Sequence, residues 1–280
     1  ARVLEVIRTY SFGRDTEVKV VPACECGGVT DVEALKTALT EDKSAACFLM
    51  QYPNYYGIVE DADEIADIVH EAGAQLIMSV NPIALGVLKT PGEIGADIVC
   101  GEGQPLGLGL AYGGPYLGIL ATTAKNTRKI VGRLVGETVD SRGERGFVLT
   151  LQAREQHIRR EKASSNVCSN QALCALKAGV YMTAVGPAGI KQVATLCSSK
   201  AHYLAEGLVS AGLSLKFDKP FFHEFVTVCA DADAILKALA DKGILGGLKL
   251  SDTEILWCAT ELNTKEQMDE VIEIVKGVSK

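Results

Sequence analysis

Apolar and polar positions alternate over the first 125 residues in a rhythm that predicts short strands separated by helices. The predicted strands cover residues 17–21, 45–51, 75–80, 96–100 and 116–121. Residues 31–39 and 61–72 carry apolar side chains at helical spacing, which predicts one helix capped by Thr30 and a second ended by Gly73. Alternation of this kind predicts a largely parallel sheet with helices on both faces.

The pattern changes after residue 133. Residues 136–146 combine three glycines with five charged residues, which predicts an exposed loop. Helices are predicted over residues 152–162, 171–184 and 189–211. In the last part, strands are predicted over residues 213–217, 225–230 and 255–260, with a helix over 232–242 between them. Thr264 and Gln267 form a capping-box pattern, which predicts the start of the final helix.

These elements indicate an α/β protein of two parts. Residues 1–187 are predicted to form part of a three-layer α/β/α large domain, and residues 188–280 a small C-terminal α/β domain. The arrangement is similar to the second half of the aspartate aminotransferase fold, which is fold-type I of the pyridoxal phosphate (PLP)-dependent transferases. A fold-level likeness does not by itself give a function.

Composition excludes several classes of protein. The chain has 280 residues, 48% of them hydrophobic and 22% charged, as in ordinary globular proteins. A net charge of −7 and a pI near 5.3 argue weakly against a nucleic-acid partner. No uninterrupted apolar run of about 20 residues suggests a membrane span, and the first residues lack the features of a signal peptide.

Nine cysteines are scattered along the chain. Cys47, Cys100, Cys229 and Cys258 lie in apolar runs, where a free cysteine behaves as a small hydrophobic residue. We interpret all nine as reduced, which favours a cytoplasmic protein. Metal sites pair closely spaced cysteines with further ligands at matching distance, and nothing complements Cys24 and Cys26, so no metal site is predicted.

Several stretches of the sequence resemble the glycine cleavage system P-protein family. The longest of these stretches runs from residue 135 to residue 152. Its order of residues is unusual, so a chance resemblance is implausible. The other stretches cover residues 51–61, 81–86, 95–107, 113–118, 154–162, 164–171, 222–225 and 243–247. The resemblance extends over essentially the whole chain.

In many bacteria this family is split into two subunits, and the chain resembles subunit 1, which lacks the cofactor lysine. The resemblance implies a heterotetramer in which a lysine-bearing subunit 2 holds PLP. That cofactor serves as an electron sink for the decarboxylation of glycine. The aminomethyl group then passes to the lipoyl arm of H-protein, and no nicotinamide is needed for this step despite the family's name of dehydrogenase.

The chain also departs from the family pattern. It begins inside the large domain, so the isolated polypeptide is expected to be inactive and to leave a sheet edge uncovered. Asn81 stands where aspartate is commoner in the family. Gln104 occupies the place that the resemblance assigns to the cofactor lysine, and an amide cannot condense with an aldehyde. Lys89 and Lys125 lie in polar surroundings and are interpreted as surface residues.

Charged residues concentrate in and after the predicted loop. Two interpretations stay open for them: a solvated surface, or an interface that reaches the partner's active site, where arginine would hold a phosphate or a carboxylate. The candidate channel or interface residues are Asn81, Glu102, Gln104, Arg142, Arg145, His157, Arg159 and Lys162. Two other functions also stay open: a self-sufficient PLP-dependent aminotransferase or decarboxylase, and a purely structural subunit.

Overall fold

The structure is a computed structural model, and it describes residues 2–14, 16–24, 27–163 and 171–278. The first part of the chain contains a four-stranded sheet and the helices that surround it. Its elements are α1 (Arg2–Phe12), α2 (Val32–Glu41), β1 (Cys47–Tyr52), α3 (Ala62–Glu71), β2 (Gln75–Val80), α4 (Pro91–Ile94), β3 (Ile98–Glu102) and β4 (Gly118–Thr122). The predicted strands over residues 45–51, 75–80, 96–100 and 116–121 are therefore confirmed within two residues at their ends.

The strands of this sheet lie in the order β1-β2-β3-β4. The first three are parallel and β4 runs antiparallel to β3. Leu76 and Met78 on β2 are fully buried, because helices and the neighbouring strands cover them. The outer edges of β1 and β4 have no partner strand among the described residues.

Helix α3 was predicted from the sequence because its two ends and its buried face each carry a clear signal. Asp61 caps its first turn by accepting a hydrogen bond from the backbone N–H of Glu64 at 3.2 Å. Ile65 and Val69 are buried on one face. Gly73 follows with φ of +79°, a conformation that glycine adopts without steric cost, and the chain turns towards β2.

Two predictions near the start of the chain are wrong. Residues 17–21 form no strand, and the nearest backbone pairing is an isolated bridge between Ala23 and Thr30. The cap of α2 is Asp31, whose carboxylate accepts from the N–H of Ala34 at 2.9 Å. Thr30 instead donates its backbone N–H to Glu60 at 2.7 Å.

Residues 136–146 are not a loop, because they form most of an antiparallel hairpin. Its strands are β5 (Leu134–Val139) and β6 (Arg145–Thr150). Asp140 makes the turn by accepting from the N–H groups of Arg142 at 2.7 Å and Glu144 at 3.0 Å, and Gly143 has φ of +79°. The charged residues that suggested a loop supply this turn and the exposed positions of the strands.

The predicted helix over residues 152–162 is also wrong, because the segment is broken into three short pieces. A 3₁₀ turn (Gln152–Arg154) and α5 (Gln156–Arg159) precede a second 3₁₀ turn (Arg160–Lys162). Arg160 has φ of +53°, which interrupts the helical hydrogen bonds.

Two predicted helices join into α6 (Ala172–Ser210), which bends where Gly186 leaves helical geometry just before Pro187. By length and composition α6 could cross a membrane, and it is the only such helix among the described residues. The sequence analysis had suggested no such segment. The break at Gly186 leaves about 14 residues before it, fewer than the roughly 20 that a bilayer requires. After the break, Ala201 and Leu208 are buried in a protein core.

The rest of the chain forms a small α/β unit that the second half of α6 completes. Its further elements are β7 (Ser214–Leu215), β8 (Glu224–Val228), α7 (Ala232–Ala240), β9 (Leu248–Ser251), β10 (Glu254–Cys258) and α8 (Lys265–Val278). The sheet is antiparallel in the order β7-β8-β10-β9. The prediction missed β9, but the capping box of α8 is confirmed, with bonds between Thr264 and Gln267 in both directions.

A short joint connects the large sheet to the small unit. Just after β1, Ile58 forms an isolated antiparallel bridge with Phe221. On one side of this bridge the N–H of Val59 donates to Pro220 O at 2.9 Å, and on the other the N–H of Phe222 donates to Gly57 O at 3.0 Å. The backbone itself therefore holds the two parts together.

Asn54 shapes the chain on the large-sheet side of this joint. Its Nδ2 donates to Gly28 O at 2.8 Å and to Glu60 Oε1 at 2.9 Å. Its Oδ1 accepts from the backbone N–H groups of Tyr56 and Ile58 at 2.9 and 3.1 Å. The side chain is buried, and these four bonds satisfy both of its ends, as burial of an amide requires.

Gly57 is the residue of the joint that tolerates least change. A Cβ there would overlap the carbonyl group of Glu224, and its φ is +81°. At Gly73, φ is nearly the same but no atom lies within 4 Å of the added Cβ. We expect Gly73→Ala to lower the free energy of unfolding by about 1–2 kcal/mol through backbone strain alone. Gly57→Ala should cost a further 1–3 kcal/mol, roughly the range of overpacking, because the two parts must separate.

Urea unfolding of both variants measures this difference. Equal losses at the two positions would show that the approach of Gly57 to Glu224 does not limit the joint.

Candidate functional site

The carboxyl ends of β2 and β3 meet the small unit next to the joint. In open α/β sheets this edge is where ligands usually bind. Asn81 directly follows β2, and Gln104 lies two residues beyond β3. His223, which precedes β8 in the small unit, faces Asn81 across the boundary, with 3.5 Å between Asn81 Nδ2 and His223 Nε2.

Both polar ends of Asn81 are engaged. Its Oδ1 accepts from the N–H of Ile83 at 3.0 Å, and its Nδ2 points at His223. Since Nδ2 can only donate, His223 Nε2 accepts and the imidazole proton lies on Nδ1. Burial lowers the pKa of His223 to about 4, so the ring is neutral near pH 7; the carboxylate of Glu261 opposes this shift. Nδ1 is buried and has no partner among the described residues.

Glu102 and Gln104 organise the glycine-rich segment after β3. Glu102 Oε1 accepts from the backbone N–H groups of Gln104 and Leu117, each at 2.9 Å. Gln104 Nε2 donates to Leu108 O at 2.6 Å. Both side chains therefore fold the segment back on itself. Gly107 allows this turn to contact Tyr181 of α6, because its φ is +81° and a Cβ would overlap the tyrosine ring.

A second polar group lies nearby, between α6 and the segment that leads into α8. The thiol of Cys197 donates to Glu261 Oε2 at 3.3 Å. Lys200 donates its ammonium group to the backbone carbonyls of Glu261 and Asn263, which fixes this segment against α6. Burial raises the pKa of Cys197 to about 11, so the thiol stays protonated at neutral pH. It is therefore a hydrogen-bond donor and a poor nucleophile.

Neither His223 nor the pair of Cys197 and Glu261 was predicted from the sequence. His223 stood inside a stretch quoted for its resemblance, but a single histidine carried no signal of its own. Cys197 and Glu261 are 64 positions apart, and no sequence spacing brings them together. The helical spacing of Cys197, Ala201 and Leu204 on α6 was the only available sign that Cys197 faces inward.

The arginines of the hairpin form their ion pairs within the hairpin and not with residues at this edge of the sheet. Arg142 pairs with Asp140 at 3.2 Å and Glu144 at 2.9 Å. Arg145 pairs with Glu137 at 2.9 Å, and its guanidinium lies 5.1 Å from the ring centroid of Phe147. No ion pair or hydrogen bond of either arginine among the described residues reaches Asn81, Gln104 or His223.

The remaining candidates follow the hairpin. His157, Arg159 and Lys162 are exposed, and Arg159 Nε donates to Ala153 O at 3.0 Å. The break at Arg160 prevents them from sharing one helical face, contrary to the predicted helix. The resembling stretch over residues 164–171 lies almost wholly outside the described residues. So do Cys26 and Cys168, while Cys47, Cys100, Cys174, Cys197, Cys229 and Cys258 are free thiols.

Comparison with known proteins decides the family. The family model of the glycine cleavage system P-protein matches residues 1–275. The chain belongs to this family. It is 49% identical over 276 residues to the probable glycine dehydrogenase (decarboxylating) subunit 1 of Desulfitobacterium hafniense, covering 96% of this chain and 61% of that protein. The corresponding protein of Bacillus subtilis is 47% identical over 276 residues, with the same coverage.

Solved structures confirm the fold class. A crystal structure of glycine decarboxylase (P-protein) of the glycine cleavage system, in inhibitor-bound form, superimposes with a TM-score of 0.86 at 38% identity. The match covers 98% of this chain and 62% of that one. A NifS-like protein matches with a TM-score of 0.68 at 14% identity, which supports the fold alone. The fold is that of the fold-type I PLP-dependent enzymes, and this P-protein family chain spans about three fifths of the length of its curated relatives.

PLP is the cofactor that the P-protein family implies, and the residues at its expected place do not fit covalent attachment. Position 104 carries an amide whose nitrogen is bonded to Leu108 O. Asn81 has both ends bonded to protein groups. The described residues also contain no group of three or more His, Cys, Asp or Glu that could hold a metal ion.

Burial shifts the pKa values of two adjacent residues at the joint, His223 and Glu224. The two shifts have opposite effects on how the stability of the fold changes with pH. His223 has its pKa lowered to about 4, so the folded state binds fewer protons than the unfolded state below pH 6.5, and acid destabilises it. Burial raises the pKa of Glu224 to about 7, so folding is favoured by acid and stability is lost as pH rises towards 7. Each shift corresponds to about 3 kcal/mol at its limit.

Replacing one residue at a time separates the two effects. As pH rises from 5 to 7, the free energy of unfolding of His223→Gln should fall by about 2 kcal/mol relative to that of the unmodified chain. Over the same range, the free energy of unfolding of Glu224→Gln should rise by about 2 kcal/mol relative to that of the unmodified chain. Urea unfolding at the two pH values tests this. Profiles parallel to that of the unmodified chain would mean that neither group is buried as described.

Proposed function

We propose that this chain acts as subunit 1 of a glycine decarboxylase, in complex with a lysine-bearing subunit 2 that holds PLP. The assembled enzyme would release carbon dioxide from glycine and pass the aminomethyl group to the lipoyl arm of H-protein. The observation that carries the division of labour is the amide of Gln104, which stands at the expected lysine and is bonded to Leu108 O. The names of the curated relatives support a two-subunit enzyme.

This chain would contribute a framework and a docking surface in that enzyme. Glu102 and Gln104 hold the segment after β3, and Asn81 and His223 join it to the small unit. We place the boundary between the large and small domains near residue 187, where α6 bends. Six of the described cysteines are free thiols, which favours a cytoplasmic enzyme.

The hairpin is the surface that we assign to the partner. Register places Val135, Val139, Phe147 and Leu149 on one face of β5 and β6. Phe147 is 61% exposed and Val139 is 65% exposed, and the other two are comparably open. A two-stranded ribbon is at best marginally stable alone, and clustered exposed apolar side chains often mark an interaction site. The ion pair of Glu137 and Arg145 lies on the same face among these side chains, and Arg142 lies in the turn beside it. This placement keeps both arginines, with His157, Arg159 and Lys162, as candidates for the interface.

Borohydride reduction tests where the cofactor binds. The chain is incubated with PLP alone and in complex with subunit 2, reduced, and mapped by peptide mass spectrometry. We expect stoichiometric labelling at a single lysine of subunit 2 and only scattered, substoichiometric labelling of this chain, because residue 104 offers no amine. A single lysine of this chain labelled to completion would instead support a self-sufficient PLP enzyme.

Phe147→Glu tests the docking surface. A buried aromatic side chain at an interface often contributes 2 kcal/mol or more, so we expect affinity for purified subunit 2 to fall at least about tenfold. Leu262→Glu is the matched control, since Leu262 is 79% exposed but lies in the small unit. Affinities are measured by titration calorimetry. If the two variants bind equally well, the hairpin face is not the interface.

A further inference from the structure

A cavity in the small unit lies apart from the edge that holds Asn81 and Gln104. Strand β9 pairs with β10 only as far as Leu256, opposite Leu248. Beyond that point the outer edge of β10, at Trp257 and Cys258, faces the chain of residues 243–247 and the start of α8. A cavity of about 550 Å³ opens there. Volumes of this size are typical of sites for small molecules.

Both apolar and acidic side chains line the cavity. Leu256, Met268 and Val271 supply apolar surface. Glu224 and Cys258 are directly opposite each other on β8 and β10, so their side chains leave the same face of the sheet. A second carboxylate, Glu270 on α8, lines the cavity as well.

The two acids differ in burial, since Glu224 is partly buried and Glu270 is exposed. No hydrogen bond or ion pair to the carboxyl group of Glu224 or Glu270 occurs among the described residues. None of the described residues that line the cavity is a lysine or an arginine. A carboxyl group that is largely removed from water without a donor is costly, and a donor brought by a ligand would recover that cost.

We propose that this cavity binds a small organic cation, namely a primary ammonium group on a short aliphatic chain. The ammonium group binds the carboxylate of Glu224, and the aliphatic chain packs on Leu256, which shares a face of the sheet with Glu224, and extends towards Met268 and Val271 on α8. The two acids and the absence of a lining base select a positive charge. The apolar wall selects a hydrocarbon chain over a hydrated metal ion. The inference does not depend on the proposed decarboxylase, since none of these residues lies at the edge after β2 and β3.

Titration calorimetry with hexylamine at pH 8 tests the proposal, with 1-hexanol and hexanoate as neutral and anionic comparators. We expect hexylamine to bind at least tenfold more tightly than either comparator. Glu224→Gln should weaken hexylamine at least tenfold, and the control Glu273→Gln should leave it unchanged, because Glu273 pairs with Lys276 outside the cavity. Equal binding of 1-hexanol, or unchanged binding by Glu224→Gln, would overturn the assignment.

The pH dependence provides a second readout. Burial raises the pKa of Glu224 to about 7, and the cation binds its ionised form, so affinity should increase as pH rises from 6 to 8. The other titratable groups that line the cavity are Cys258 and Glu270. Burial raises the pKa of Cys258 to about 12, so its thiol stays neutral over this pH range. In Glu224→Gln this rise in affinity should disappear. A rise of the same size in that variant would contradict the role of Glu224.

A crystal of the unmodified chain soaked with 6-bromohexylamine serves if Glu224→Gln does not fold. The anomalous signal of bromine beside Val271 and Met268 would support the site. Bromine bound elsewhere with the cavity empty would refute it.

Discussion

The approach of the backbone at Gly57 to the carbonyl of Glu224 is the contact on which the rest of the structure depends. It brings a turn after β1 against the first residue of β8, and the bridge between Ile58 and Phe221 extends it. Asn54 holds that turn in shape from the other side. Because this contact is made by main-chain atoms, it fixes the position of the small unit with a precision that side-chain packing alone rarely gives.

The placement of His223 and Glu224 follows from this joint. Both residues are carried into the seam by the strand that Gly57 meets, and both lose water there. One result is a neutral imidazole that contacts Asn81 at the carboxyl edge of the large sheet. The other is a carboxyl group that faces a cavity on the far side of β8. A single close approach of two segments of the chain thus positions both His223 and Glu224.

Periodic segments with clear ends were predictable from sequence, and contacts between distant segments were not. Helix α3 has an aspartate cap, a buried stripe and a terminal glycine, and it was predicted almost to the residue. The hairpin was mistaken for a loop because its turn and its exposed positions use the same charged residues and glycines. Gln104 was identified from its place in a resembling stretch. Cys197, His223 and Glu261 meet only through tertiary packing, so no local pattern reveals them.

The apolar face of the hairpin has a consequence for how the protein must be produced in a cell. Phe147 and its neighbours are open to water, and the outer edges of β1 and β4 have no partner strand among the described residues, so a surplus molecule is prone to self-association. If the companion proposed above covers this face, a molecule made in excess of that companion would be held by chaperones or degraded.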